Sequence, residues 1–198
     1  MNKSGKIKMS AVILAGGKNS RFGGKPKSME IIGGRRIIDR ISETLLDIFS
    51  EVLVVTAGTG DDPEPAGCRL VKDIIPASGP LGGIHAAMLS AGNDLLFVIA
   101  GDMPFPDQEL IKTEATRALN SGSMATVPVI DGKSQFLHSV YHKDMLPLIE
   151  EALDGKGDLS VARLLKQCNT DWWTVDSNSV NRMSFVNINT PEDADRYR

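Results

Sequence analysis

The chain has 198 residues, 41% of them hydrophobic and 24% charged, with a formal net charge of -3. That balance suits an ordinary soluble globular protein of one domain, long enough to bury its own core. The mild negative charge excludes a general nucleic-acid binder, which needs a basic face, but leaves room for a local cationic pocket.

No run approaches the ~18 apolar residues of a membrane span, so no membrane partner is expected. The two cysteines, Cys68 and Cys168, lie a hundred residues apart and belong to no CxxC or Cys/His cluster. No zinc framework is visible, and the pair reads as inert thiols in a reducing, cytoplasmic setting. The start, MNKSGKIKMSAVILAGG, has a basic lead and a short apolar run. The run is cut off by Gly16-Gly17, which suits a first buried strand better than a signal peptide.

The predicted elements follow in order. Ala11 to Ala15 is a continuous apolar run, as in a strand buried on both faces. A glycine- and cation-rich loop comes next. Arg35 to Ser50 carries Ile37, Ile38, Ile41, Leu45 and Ile48 at helical spacing. Glu51 to Thr56 is a second buried strand, Ala57 to Gly67 a loop, and Arg69 to Asp73 a short strand. Leu81 to Ala91 is a predicted helix and Asp94 to Asp102 a strongly apolar strand. Pro106 to Asn120 is a helix with proline near its first turn, where proline is tolerated.

MATVPVI and QFLHSVY flank Asp131-Gly132-Lys133 and predict an antiparallel pair. Helices are predicted around Met145 to Leu153 and Leu159 to Gln167, then short strands near Trp172 to Val175 and Ser184 to Asn187. A last helix starts at Thr190-Pro191-Glu192. Strands alternating with helices predict a single α/β domain, a Rossmann-like doubly wound, mostly parallel sheet with helices on both faces. Its site should lie beyond the carboxyl ends of the strands.

Three strand ends carry candidate chemistry. The first opens into VILAGGKNSRFGGKPKS, Val12 to Ser28. It fits neither the dinucleotide fingerprint nor the P-loop, because the glycine spacing is wrong and Lys25 is followed by Pro26. Its glycines let backbone N–H groups approach a ligand, while Arg21 and Lys27 can meet phosphate oxygens. A solvated glycine loop with surface cations is the plain alternative. The second is IAGDMPF, where Asp102 follows a buried strand directly and Pro104 stiffens the turn. A lone carboxylate with phosphates is a usual holder of Mg2+, whereas a turn-forming aspartate is the competing reading.

The third is DIIPASGPLGGIHAAM, in which a helix start offers free N–H groups and Gly82 and Gly83 admit a flat ring, or simply pack a helix on a sheet. His138 and His142 sit on a predicted strand, where four residues separate them by ~13 Å, too far for a shared metal. No Ser-His-Asp arrangement can be assigned.

The loop LAGGKNSRFGGKPKS resembles the signature of nucleotidyltransferases, and within them the molybdenum cofactor guanylyltransferases. Three further segments are similar to theirs and occur in the same order: GPLGG (Gly79 to Gly83), GDMPF (Gly101 to Phe105) and FVNINTPEDADRY (Phe185 to Tyr197). The resemblance implies a nucleotide-diphospho-sugar transferase type of fold and transfer of GMP from GTP to the phosphate of molybdopterin, with Mg2+ and release of pyrophosphate.

It also implies roles. Leu14, Ala15, Gly16 and Gly17 would face the nucleotide, with Asp73, Gly79, Pro80 and Leu81. Arg21 would hold the triphosphate, Lys27 would sit at the reacting phosphates, and Asp102 would hold the metal. Asn187 and Asn189 would complete the metal or acceptor side. A partner protein that delivers the cofactor is a further implied expectation. Two positions depart from the pattern: Phe22 stands where Met is usual, and Pro26 where the guanylyltransferases commonly have Asp. A Pro-Lys pair is more like the sugar-phosphate enzymes, so CTP or UTP and another phosphate acceptor stay open. A nucleotide-binding regulatory protein without turnover is the alternative of another class, and pyrophosphate release discriminates against it.

Overall fold

In the computed structural model, which describes residues 5–16, 26–58, 62–75, 78–155 and 160–197, the strands follow the apolar runs. They are β1 (Ile7–Leu14), β2 (Ile31–Ile32), β3 (Arg35–Arg36), β4 (Phe49–Thr56), β5 (Arg69–Lys72), β6 (Leu95–Ala100), β7 (Ala125–Ile130), β8 (Lys133–Ser134), β9 (His138–His142) and β10 (Thr170–Thr174). The helices are α1 (Ile37–Ile48), α2 (Gly79–Ser90), α3 (Gln108–Ser121), α4 (Leu146–Asp154), α5 (Val161–Leu165) and α6 (Pro191–Asp195).

The main sheet runs β10-β7-β9-β6-β1-β4-β5, with β8 added to β7; β2 and β3 form a separate hairpin. β1 pairs in parallel with both β4 and β6. β9 runs against both its neighbours, β6 and β7, and the two-residue β8 runs against β7. The sheet is therefore mixed but mostly parallel. Alternate side chains divide the core in two, as strand geometry requires. Met9, Ala11 and Ile13 pack with α1, α3 and α6, while Val12 packs with α2, α4 and α5 on the other face.

Several predicted boundaries move, each for a local reason. The helix predicted from Arg35 begins at Ile37, because Gly33 and Gly34, both at positive φ, fold Arg35–Arg36 back onto Ile31–Ile32. Ser50 belongs to β4 rather than to that helix. α3 starts at Gln108 because the Asp107 carboxylate caps it, accepting from the Glu109 and Leu110 N–H groups at 3.0 Å. α2 starts earlier than predicted, at Gly79 with Pro80 in its first turn. α5 has only the five residues Val161–Leu165.

The predicted strand Ser184 to Asn187 is not one. Arg182–Phe185 is a 3-10 turn capped by the Asn181 side chain, and Phe185 turns its ring onto His138 at 5.0 Å. Apolar content identified this segment as buried but could not say that it packs on the sheet instead of joining it. His138 lies wholly buried and bonds Glu114 of α3 at 2.9 Å, an internal polar pair rather than a metal ligand set. Both thiols are free and part-buried, and burial pushes Cys68 up to about 11. Among the described residues no helix is long and apolar enough to cross a membrane.

The amino-terminal edge of the sheet is tied shut. Glu51 of β4 accepts from the Ser10 hydroxyl of β1, from Arg69 of β5 at 2.8 Å and from the Gly92 N–H at 2.8 Å. Burial acts to raise the Glu51 carboxyl, but these bonds outweigh it and hold it below its ordinary value. A depressed folded-state value means stability that is present above the unfolded-state pKa and lost as pH falls through the folded one. Glu51→Gln is expected to cost about 1–3 kcal/mol at pH 7, the scale of hydrogen bonds to a charged group. The gap to wild type should close below about pH 4, read from urea unfolding at stepped pH.

Candidate active site

The opposite, carboxyl-terminal edge is open. β1, β6, β4 and β5 all end there, and a cleft of about 790 Å3 lies across the ends. Its position follows from the topology: parallel strands deliver their last residues, and the loops after them, to one side.

Two strand ends meet very closely. The Gly101 N–H donates to the Leu14 carbonyl at 2.9 Å, joining the residue after β6 to the end of β1. A Cβ on Gly101 would lie 3.0 Å from the Leu14 carbonyl oxygen and 3.2 Å from both Ala15 Cα and Ser28 Cβ. Glycine suits this approach, because a side chain would crowd two backbone neighbours that could relieve it only by shifting. The next residue, Asp102, is then locked from the other side, since the Ile188 N–H donates to its carbonyl at 2.9 Å.

Lys27 reaches the same point from another direction. It opens a 3-10 turn, Lys27–Met29, closed by the Met29 N–H on the Pro26 carbonyl at 2.9 Å. Pro26 stands before the turn at φ -59, an angle its ring already fixes. The proline that departs from the family pattern thus sets the entry of the turn that carries Lys27. The Lys27 Nζ lies 3.3 Å from Asp102 Oδ2 and donates to Asn189 Oδ1 at 3.1 Å. Residues 75 and 162 positions apart in sequence converge on one ammonium group.

Burial pushes the Asp102 carboxyl above its ordinary value, and the Lys27 charge offsets this only in part. The cluster offers one acidic group, a positive group beside it and two asparagines, with Asn187 also lining the cleft. Among the described residues no group of three or more His, Cys, Asp or Glu side chains could hold a metal alone. A divalent ion at Asp102 would need the phosphate oxygens of a substrate and water as its other ligands, a donor set that suits Mg2+.

The other expected residues are distributed as follows. Leu14, Ala15, Gly16, Asp73, Gly79 and Pro80 line the cleft with Lys27 and Asp102. Leu81 does not line it: its side chain is 1% exposed, within the core beneath α2. Asp73 commits Oδ1 to the Ile75 N–H at 3.0 Å, a side-chain turn that holds the loop before α2. A Cβ on Gly82 would come within 3.2 Å of that same oxygen, so packing accounts for this glycine. Gly17 and Arg21 lie outside the described residues.

The sequence reading missed the far wall, Ser134 to Leu137, and Met103. The Asp131-Gly132 turn marked a hairpin but nothing in its spacing aimed it at the strand ends. Ala substitution at Gly101 is expected to cost about 1–3 kcal/mol by overpacking. It should also weaken nucleotide binding, whereas Gly122→Ala, at a glycine that caps α3 away from the cleft, should leave ligand binding unchanged. Urea unfolding and ligand-induced melting shifts on the two variants check both points.

Residues 11–172 match the model of the MobA-like NTP transferase domain. A protein of Peptoclostridium acidaminophilum named "Probable molybdenum cofactor guanylyltransferase" is 34% identical, with 95% of this chain and 87% of that one covered. The molybdenum cofactor guanylyltransferase of Vibrio vulnificus is 32% identical, with 95% of this chain and 94% of that one covered. Among solved structures, molybdopterin-guanine dinucleotide biosynthesis protein A from Archaeoglobus fulgidus superposes with a TM-score of 0.79 at 24% identity, covering 96% of each chain. The 2-C-methyl-D-erythritol 4-phosphate cytidylyltransferase of Thermus thermophilus has a TM-score of 0.72 at 18% identity, covering 96% of this chain and 97% of that one. At these identities the two structures establish the fold, that of the nucleotide-diphospho-sugar transferases.

Proposed function

Given that the chain belongs to the MobA-like NTP transferase family and is a nucleotidyltransferase, we propose that it transfers GMP from GTP to the phosphate of molybdopterin, releasing pyrophosphate. The observation that carries this reading is the meeting of Lys27, Asp102 and Asn189 at the mouth of β1 and β6. It supports chemistry on an anionic centre, and the relatives' names supply the donor and acceptor.

In this reaction an oxygen of the acceptor phosphate attacks the α-phosphorus of GTP. A new phosphorus–oxygen bond forms as the bond to the bridging oxygen breaks, and that oxygen leaves with pyrophosphate. The protein has little covalent work; it must align two anions and screen them. Leu14 to Gly16 and Gly79-Pro80 form the nucleotide flank, where small residues admit a flat base. Arg21 holds the triphosphate. Lys27, stiffened by Pro26 and oriented by Asn189, places its charge beside the reacting phosphates. Asp102, with Asn187 on the same wall, would hold Mg2+, which when bound neutralises phosphate charge and fixes the α-phosphate. Delivery of molybdopterin by a partner protein, in the cytoplasm, fits an unstable acceptor.

A second reading keeps the chemistry and changes the substrates. The Thermus thermophilus cytidylyltransferase shares the fold, so the fold by itself does not choose between guanine and cytosine. A panel of GTP, CTP, UTP and ATP, each with Mg2+, separates the readings by melting shift. Ligand at a hundred times its Kd adds about 2.7 kcal/mol, or roughly 5–10 °C for this chain. GTP alone should produce the shift, and product mass with molybdopterin should show addition of GMP.

Lys27→Ala is expected to melt within a few degrees of wild type and to lose turnover by about 10²–10³-fold. Asp102→Asn should lose a comparable factor that added Mg2+ restores poorly, and chelation should abolish wild-type turnover. Near-normal rates in the Lys27 variant would remove that residue from the mechanism.

A further inference from the structure

The cleft has two flanks, set by strand order. β1, β4 and β5 with α2 form one, Lys27 and Asp102 stand between, and the turn before β9 forms the other. That turn, Gln135 to Leu137, is held from inside the protein. All three of its carbonyls are taken. Gln135 accepts from the His138 N–H at 3.0 Å and from the Ser139 hydroxyl at 2.6 Å. Phe136 accepts from the Tyr141 hydroxyl, and Leu137 from the Ala100 N–H at 2.9 Å.

Ser139 and Tyr141 are 0% and 1% exposed. They lie opposite Val98 and Leu96 on the face of β9 that packs toward α2 and α4. Apolar side chains would pack there without the cost of burying a hydroxyl. Two hydroxyls on one buried face both reach back to the same three-residue turn. Their common effect is to fix its backbone, and with it the half-buried Phe136, which packs on the core beneath and lines the cleft.

We propose that Tyr141 and Ser139 are positioning residues for the acceptor flank, and that Phe136 is its specificity residue, contacting a flat heterocycle that carries a phosphate monoester. The inference rests on the transfer reading above. The nucleotide occupies the glycine-lined flank, so the acceptor comes from the β9 side with its phosphate toward Lys27. An aromatic ring set rigidly there gives the flat face of a heterocycle a ring to stack on, in the offset or edge-on arrangements that aromatic pairs prefer.

The test is steady-state kinetics with GTP and molybdopterin on wild type, Phe136→Ala, Tyr141→Phe and Ser139→Ala, with melting curves and backbone hydrogen exchange. Phe136→Ala should raise the acceptor KM tenfold or more and leave the GTP KM within twofold. Tyr141→Phe keeps the buried ring, so Tm should fall by only about 2–4 °C. Its acceptor KM should rise about three- to tenfold, and the His138 amide should exchange faster while α2 amides do not. Ser139→Ala should behave alike. An unchanged acceptor KM in Phe136→Ala or Tyr141→Phe overturns the proposal. So does a rise of both KM values in step with the fall in Tm, which marks a structural role only. A wild type that makes no product from GTP and molybdopterin brings down the transfer reading and this inference with it; an active wild type matched by its variants brings down the inference alone.

Discussion

The contact between the Gly101 N–H and the Leu14 carbonyl governs the geometry of the cleft. It brings the end of β6 against the end of β1 so closely that a Cβ at Gly101 would crowd the β1 backbone. Asp102, one residue on, has no freedom left to move away, and the Ile188 N–H holds its far side. Three segments remote in sequence thereby meet: the turn at Lys27, the turn at Asp102 and the stretch from Asn187 to Asn189. A close-packed interior transmits such a constraint because it has no slack to absorb it.

The two edges of the sheet divide the work of the fold. The amino-terminal edge is closed by the Glu51 cluster, where Ser10, Arg69 and Gly92 satisfy one carboxylate. At the carboxyl-terminal edge, Lys27 is the cation that meets the Asp102 carboxylate among the described residues. Similar chemistry gives opposite outcomes: burial is outweighed at Glu51 and prevails at Asp102. A carboxylate with several donors keeps its charge in spite of burial, while one with few is pushed toward its neutral form. The antiparallel β9 matters for the same reason. Running against its neighbours, it brings its beginning, and the Gln135 to Leu137 turn, to the edge where β1 and β6 end.

Much was legible in the chain itself. Apolar runs such as Ala11 to Ala15 and Glu51 to Thr56 exceed what any exposed strand carries, so a doubly covered sheet followed from them. The glycines, the cations and Asp102 fell at strand ends, and the topology rule then put them on one edge. The same local logic failed where two states share one composition. Ser184 to Asn187 looked like a strand, yet its first two residues end a 3-10 turn, Arg182–Phe185, and the rest joins no strand, since Phe185 packs on His138 instead. Leu81 sat within a motif that suggested ligand contact, yet its side chain turns into the core.

By itself, then, the sequence determined the class of fold, the order of its elements and which strand ends bear charge, because these depend on periodicity and on neighbours in the chain. Tertiary structure alone decided that Lys27, Asp102 and Asn189 share hydrogen-bonding distance, that Pro26 sets the entry to the turn bearing Lys27, and that Ser139 and Tyr141 hold the far wall of the cleft. Those relations join residues up to 162 positions apart. They are fixed by how two strand ends pack and which way β9 runs, and neither is written in any local stretch of residues.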